Sequence, residues 1–343
     1  MSPAAAMAPR LSGVTRASSL GPIAAFMECH GGSIARVLRK VDLPFAILEQ
    51  RELIVPLREQ FRLLEKAARE TGDAYFGARL GQAVKSEDLS AFGAWVCKAE
   101  TLRDAMFRAH AGLNVMLQTS TVLTVSRHGP RVRWSIEFIE PETDGRHHNE
   151  FLALGYAMDV VRGYAGPHWR PNLVMTALPS GSPRAPLEDI FSANVSHGHA
   201  VPAIEFDASL LGNTIYSGRS ASDECAAGSE PPVPRQSDVL ATTLAVTELA
   251  LHEGYPRIAW VAAKLGTTPR SLQRRLGENG TSFVDLVDDL LSRHAKRLLH
   301  EGRTSVTDIA LNLGYSDPAH FTRAFRRWTG QSPRAYRQAA LHG

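Results

Sequence analysis

Cysteine is scarce in this chain. Its three cysteines, Cys29, Cys97 and Cys225, lie far apart and form no C-x-x-C pair in 343 residues, which excludes a disulfide framework or a four-cysteine zinc site. Such usage suits a reducing cytoplasm. No window approaches 18 consecutive apolar residues, so no membrane span is expected. The first twenty residues are rich in Ala, Ser and Pro and lack the apolar stretch of a secretory signal. Also missing are G-x-S-x-G, G-x-x-x-x-G-K and G-x-G-x-x-G, so neither an enzyme nor a cofactor is expected. A net charge of only +3, beside 44% hydrophobic residues, excludes disorder.

What remains is a globular chain long enough for about two domains. The composition divides it at residues 226–234, AAGSEPPVP, where three prolines with Gly and Ser cannot continue a helix or a central strand. Charge divides there too. Residues 235–343 carry 15 Lys and Arg against 10 Asp and Glu, a balance of +5, which leaves −2 on residues 1–234. The C-terminal part therefore suits a polyanion. The expected organisation is a flexible tail over 1–18, an α+β domain over 19–225, the linker, and an all-α domain over 235–340.

Within the upstream domain, Leu57, Phe61, Leu64 and Ala68 form one helical stripe over 57–69. Thr101 and Asp104 resemble a capping box before a helix carrying Met106, Phe107 and His110. Period-two alternation at Val122–Ser126 and again at Val132, Trp134, Ile136 and Phe138, across His128-Gly129-Pro130, predicts a hairpin. A helix over about 149–164 and strands near 172–177 and 203–206 complete an α+β set. The pairs His147-His148 and His197/His199 lack metal-site spacing and are expected on surface loops, so no metal is expected. Arg133, Trp134, His147, Arg162 and Tyr164 are polar or aromatic residues that a pocket could use. Structural roles account for them better, and no ligand-binding residue is assigned.

The last hundred residues contain an internal repeat. Residues 258–276 read IAWVAAKLGTTPRSLQRRL and 307–325 read TDIALNLGYSDPAHFTRAF. In each, a short apolar helix stops at a glycine, Gly266 or Gly314, suited to the left-handed cap position. A capping residue and proline, Thr268-Pro269 or Asp317-Pro318, then start a second helix. Its apolar stripe is Leu272 and Leu276 in one copy, Phe321 and Phe325 in the other. This is the helix-turn-helix pattern, at about 257–277 and 305–328. An amphipathic helix over 282–301, about 30 Å long, is predicted to join the units and to set them about one DNA turn apart.

Burying those stripes fixes the outward faces. The first unit presents Arg270, Gln273 and Arg274; the second presents Ala319, His320, Thr322 and Arg323, continuing to Arg326 and Arg327. Arg reads guanine and Gln reads adenine bidentately, while Arg and Thr also bind phosphate. Arg326 and Arg327, deeper in the helix, are assigned to phosphate. Arg275 fits either a phosphate contact or plain solvation.

Ile309-Ala310, Leu313-Gly314-Tyr315, the run Phe321 to Arg327 and the run Gly330-Gln331-Ser332-Pro333-Arg334-Ala335-Tyr336-Arg337 resemble the AraC/XylS family of bacterial transcription regulators. The similarity is strong over about a third of the chain. The remainder is more weakly similar to the sensor domain of the ornithine-utilisation type. The resemblance implies base-reading roles at Arg270, Gln273 and Arg274, and at Pro318, Ala319, His320 and Arg323. It also implies double-stranded promoter DNA, a small-molecule effector, a homodimer, a contact with RNA polymerase, and activation. A competing reading gives the upstream domain only oligomerisation or polymerase contact. A methyl-accepting repair function needs more clustered cysteine than Cys29, Cys97 and Cys225 supply.

Overall fold

The computed structural model describes residues 11–141, 143–216 and 231–342. It forms two compact units, one of Ser12–Arg235 and one of the chain from Gln236 onward, with Leu11 in the core of the latter. Cys225 and residues 226–230 of the expected linker lie outside the described residues.

The tail expected over 1–18 is corrected in its described part. Val14–Arg16 form strand β1, antiparallel to β2 (Ile54–Pro56) with Thr15 opposite Val55, and all three residues of β1 are buried. The polar groups that read as a solvated tail are satisfied internally. The Gly13 N–H donates to Glu140, Val14 N–H donates to Thr119 Oγ1 at 3.0 Å, and Arg16 Nε donates to the Met116 carbonyl at 2.7 Å. Such pairing is what makes burial of polar backbone and side chains tolerable.

Short helices α1 (Ile23–Cys29), α2 (Ile34–Val41) and α3 (Ala46–Glu49) lead to α4 (Leu57–Thr71), whose predicted stripe of Leu57, Phe61, Leu64 and Ala68 is buried. Helices α5 (Phe76–Ala83) and α6 (Ser90–Cys97) precede α7 (Leu102–Gly112). Thr101 caps α7 by accepting from the Asp104 N–H, as its sequence predicts. Leu102, Ala105, Met106 and Ala109 face inward, whereas Phe107 is 70% exposed.

Strands β3 (Thr121–His128) and β4 (Arg131–Phe138) pair as the predicted hairpin, with Val132, Trp134, Ile136 and Phe138 all buried. After α8 (Arg146–Ala165) come β5 (Leu173–Met175), α9 (Ala185–Phe191), β6 (Asn194–Ser196) and β7 (Ala203–Asp207). The five-stranded order is β3-β4-β7-β5-β6, antiparallel except for the pair β5 and β6. Helix α5 packs closely on α8 because neither has a side chain at the crossing: a Cβ on Gly155 would lie 2.2 Å from the Gly81 carbonyl oxygen.

The second unit is all helix: α10 (Val239–Leu251), α11 (Ile258–Lys264), α12 (Pro269–Glu278), α13 (Phe283–Glu301), α14 (Val306–Asn312), α15 (Pro318–Thr329) and α16 (Pro333–His342). Its core joins Val261, Ala262, Leu272 and Leu276 from the first repeat to Ile309, Ala310, Phe321 and Phe325 from the second. An α+β unit followed by an all-α unit is the fold class the sequence predicts.

Candidate nucleic-acid interface

Each repeat is built by local chemistry. Gly266 at φ +70° and Gly314 at φ +79° end α11 and α14 in the left-handed region, where a side chain is disfavoured. Thr268 then caps α12 by accepting from the Ser271 N–H, and Asp317 caps α15 by accepting from the Ala319 N–H. Proline occupies the first turn of both helices, where its missing N–H has no helical partner to lose. The connector α13 begins with a full capping box, Ser282 with Asp285. Its 19 residues span about 28 Å.

The C-terminal signature is also structural. Ser332 Oγ accepts from the Ala335 N–H at 3.2 Å, and Tyr336 packs edge-on against Phe325 with centroids 5.4 Å apart. Arg337 donates to the Thr304 carbonyl at 2.5 Å. Much of that run therefore holds α16 against α15.

With Leu272 and Leu276 buried, Arg270, Gln273 and Arg274 are exposed on α12. Arg274 has only a 3.8 Å contact with Glu278, both largely exposed, which a phosphate or base can displace at little cost. Arg275 is the exception on this helix. It is 7% exposed, so solvation does not describe it. On α15, Ala319, His320, Arg323, Arg326 and Arg327 are exposed and Thr322 is half-buried. The Thr322 hydroxyl donates to the Pro318 carbonyl at 2.9 Å, inside its own helix. His320 lies 3.7 Å from Asp317.

Arg327 differs from its neighbours. Its guanidinium meets Asp288 of α13 at 2.6 Å, and Asp288 is only 19% exposed. The pair ties the connector to the second recognition helix and occupies a cation assigned to phosphate. Asp288→Asn is expected to release Arg327, to raise affinity for arbitrary duplex DNA several-fold and to steepen the salt slope by about 0.9. Titrations at several salt concentrations check this.

In the N-terminal unit the structure redistributes the pocket candidates. Arg133 joins Arg131 on Glu205, at 3.2 and 3.1 Å. Burial raises the Glu205 pKa, but these two arginines more than offset it and hold the carboxyl below its ordinary value. Arg162 donates to Gln82 Oε1 at 2.9 Å, and Tyr164 to the Ala99 carbonyl at 2.9 Å. Only Trp134 of the five lines the cavity of this unit, about 90 Å³ in volume.

His199 lies half-buried on a loop after β6, but the other histidines depart from the surface-loop expectation. His147 and His148 lie in the first turn of α8, His148 is 2% exposed, and His197 is 6% exposed with Nδ1 2.7 Å from Thr176 Oγ1. Glu65, His147 and His148 place donor atoms within 4.8 Å of one another. Arg69 meets Glu65 Oε1 at 2.7 Å and the Gly77 N–H donates to His148 Nδ1 at 3.4 Å, while Glu65 Oε2 lies 3.7 Å from His148 Nε2. Burial, with a smaller contribution from His147, pushes the His148 pKa down to about 3. The unfolded chain binds that proton near 6.5, so stability is complete above pH 6.5 and falls as pH drops towards 3. Between pH 6.5 and 5 the loss is expected to be roughly 2 kcal/mol. It should shrink in His148→Gln, as followed by urea unfolding at each pH.

Two helix-turn-helix units on one connector, with basic outward faces, define a DNA-binding regulator of transcription. Comparison with known proteins agrees. Residues 31–215 match the arabinose-binding N-terminal domain of AraC transcription regulators, and residues 261–339 match a helix-turn-helix domain family. The chain belongs to the AraC family of transcriptional regulators.

Among curated relatives, the HTH-type transcriptional regulator VirS of Mycobacterium tuberculosis is 26% identical over 95% of this chain and 97% of its own length. The ornithine utilization regulator of Pseudomonas aeruginosa is 36% identical over 31% of this chain and 34% of its own. Among solved structures, the transcriptional regulator CdpR of Pseudomonas aeruginosa is 26% identical with a TM-score of 0.33, covering 76% of this chain and 86% of that one. Among the described residues no helix is long and apolar enough to cross a membrane.

Proposed function

We propose that this regulator reads promoter DNA with Arg270, Gln273 and Arg274 on α12. Arg323, Ala319 and His320 assist on α15 and Arg326 serves as a backbone contact, whereas Thr322 donates within its own helix and Arg327 joins the backbone contacts only when its pair with Asp288 opens. The observation that carries this reading is the pairing of buried Leu272 and Leu276 with three exposed donors on one short helix. On α15, Pro318 and Ala319 lack hydrogen-bonding side chains, so the second unit contributes less base discrimination than the first.

The N-terminal unit binds a small metabolite and controls how the DNA-binding unit engages a promoter. This role is supported by the family match over 31–215 and by a largely apolar cavity in that unit. The protein acts as a cytoplasmic homodimer that activates transcription through a contact with RNA polymerase, and it works by binding rather than catalysis. Run-off transcription from a selected binding site tests this. Transcript should rise several-fold when effector is added at saturating protein. Unchanged transcript with full occupancy would remove the activator reading, and occupancy unaffected by any metabolite would favour an N-terminal unit that only oligomerises.

A further inference from the structure

The cavity of the N-terminal unit lies between the sheet and the helices, and its lining restricts what it can hold. Its walls are mainly apolar, with Phe92, Leu117, Ile136, Phe138, Leu152 and Val160 among them. Among the described residues no Lys, Arg, His, Asp or Glu lines it. A charged ligand would therefore be desolvated there without a counter-charge, which is strongly unfavourable.

The polar residues of the wall are mostly committed to one another. Ser19 Oγ donates to Gln60 Oε1 at 2.7 Å, and Gln60 Nε2 donates to Asn149 Oδ1 at 2.8 Å. Trp134 is different. It is 3% exposed, it lines the cavity, and its indole N–H has no acceptor among the described residues. Buried donors are almost always paired, and this one, closed off from the cavity, is satisfied if a ligand acceptor draws the indole towards it.

Resting on the sensor reading given above, we propose that the effector is an uncharged, largely apolar carbonyl compound, such as a ketone, ester or amide. An aromatic or short aliphatic body fills the cavity, and its carbonyl oxygen accepts from Trp134 Nε1. A volume near 90 Å³ is below the roughly 150 Å³ of a dry apolar cavity that takes benzene, so the body is limited to one ring or a short chain and the lining must give to admit it. Amino acids, polyamines, sugars and carboxylates are excluded by the same lining.

The test is thermal unfolding of the full chain with acetophenone, 2-heptanone and benzamide, beside benzoate, heptanoate, ornithine and arabinose. A neutral carbonyl probe at about a hundred times its Kd should raise the N-terminal transition by roughly 5 to 10 °C. Trp134→Phe, which keeps the ring but lacks the donor, should weaken that binding about tenfold. Ala157→Leu, which fills the cavity, should abolish it. A shift given only by a charged or sugar probe, and kept in Ala157→Leu, would overturn the proposed ligand class and leave the sensor reading standing. No shift with any probe would overturn both.

Discussion

Gly314→Ala is expected to destabilise the DNA-binding unit by about 2 to 5 kcal/mol and to abolish DNA binding at 37 °C. Two effects add. The residue has φ +79°, where an L side chain is disfavoured by about 1 to 2 kcal/mol. A Cβ there would also lie 2.2 Å from the Tyr255 backbone nitrogen and 2.6 Å from the Gly254 carbonyl carbon. Backbone cannot rotate away as a side chain can, so the turn of the second unit must separate from the segment that enters the first. Such overpacking adds about 1 to 3 kcal/mol.

That contact extends through aromatic rings. Tyr255 stands edge-on to Tyr315 with centroids 5.8 Å apart, and Tyr315 continues to Phe321 at 5.7 Å. Gly280→Ala provides the comparison, since Gly280 also has a positive φ of +75° but has nothing within 4 Å of a Cβ. Urea unfolding should show Gly280→Ala losing only about 1 to 2 kcal/mol. Equal losses in the two variants would mean that the close approach at Gly314 carries no energy.

The second large effect concerns DNA. Arg270→Ala and Arg274→Ala are each expected to lose about 1 to 3 kcal/mol at the cognate site, roughly 5- to 150-fold, and to relax base preference at one position. Both side chains are exposed on α12, so neither change should move the unfolding transition by more than about 0.5 kcal/mol. Binding selections with each variant, followed by titration on matched and mismatched sites, separate a base reader from a phosphate contact. A phosphate contact would weaken all sequences alike and lower the salt slope. Unchanged specificity in both variants would remove α12 as the reading face.

The contrast between the two units explains what was legible in advance. In the C-terminal unit the signals are local: a glycine stop, a cap, a proline and a stripe of period four all act within one turn of helix. The sequence therefore places α12 and α15 and their outward residues directly. The pair Arg327 and Asp288 was not legible, because 39 residues separate its members and only the packing of α13 on α15 brings them together. Arg275 was ambiguous for a related reason. Beside Leu272 and Leu276 it sits at the edge of the apolar stripe, where a long stem can be covered while its charge finds a partner.

In the N-terminal unit, long elements such as α4, α8 and the hairpin carry enough repeats of their period to be read. β1, β2, β5 and β6 have three residues each, too few for any periodicity to register, and of these only β5, near 172–177, was expected. The burial of Arg16 and His148 depends on partners distant in sequence, Met116 and Gly77 among them, so composition alone misassigned both to solvent. Likewise the cavity is lined by residues scattered from Ser19 to Val160, which no motif connects.

The central claim is that one chain reads DNA with two units held on one rigid connector. Hydroxyl-radical footprinting of the full chain on a selected site tests it most directly. Because α13 spans about 28 Å and a DNA turn about 34 Å, each protomer should protect two segments about 10 base pairs apart on one face of the duplex, the stronger sequence requirement lying under α12. Protection of a single segment per protomer, or of two segments on opposite faces, would contradict the account.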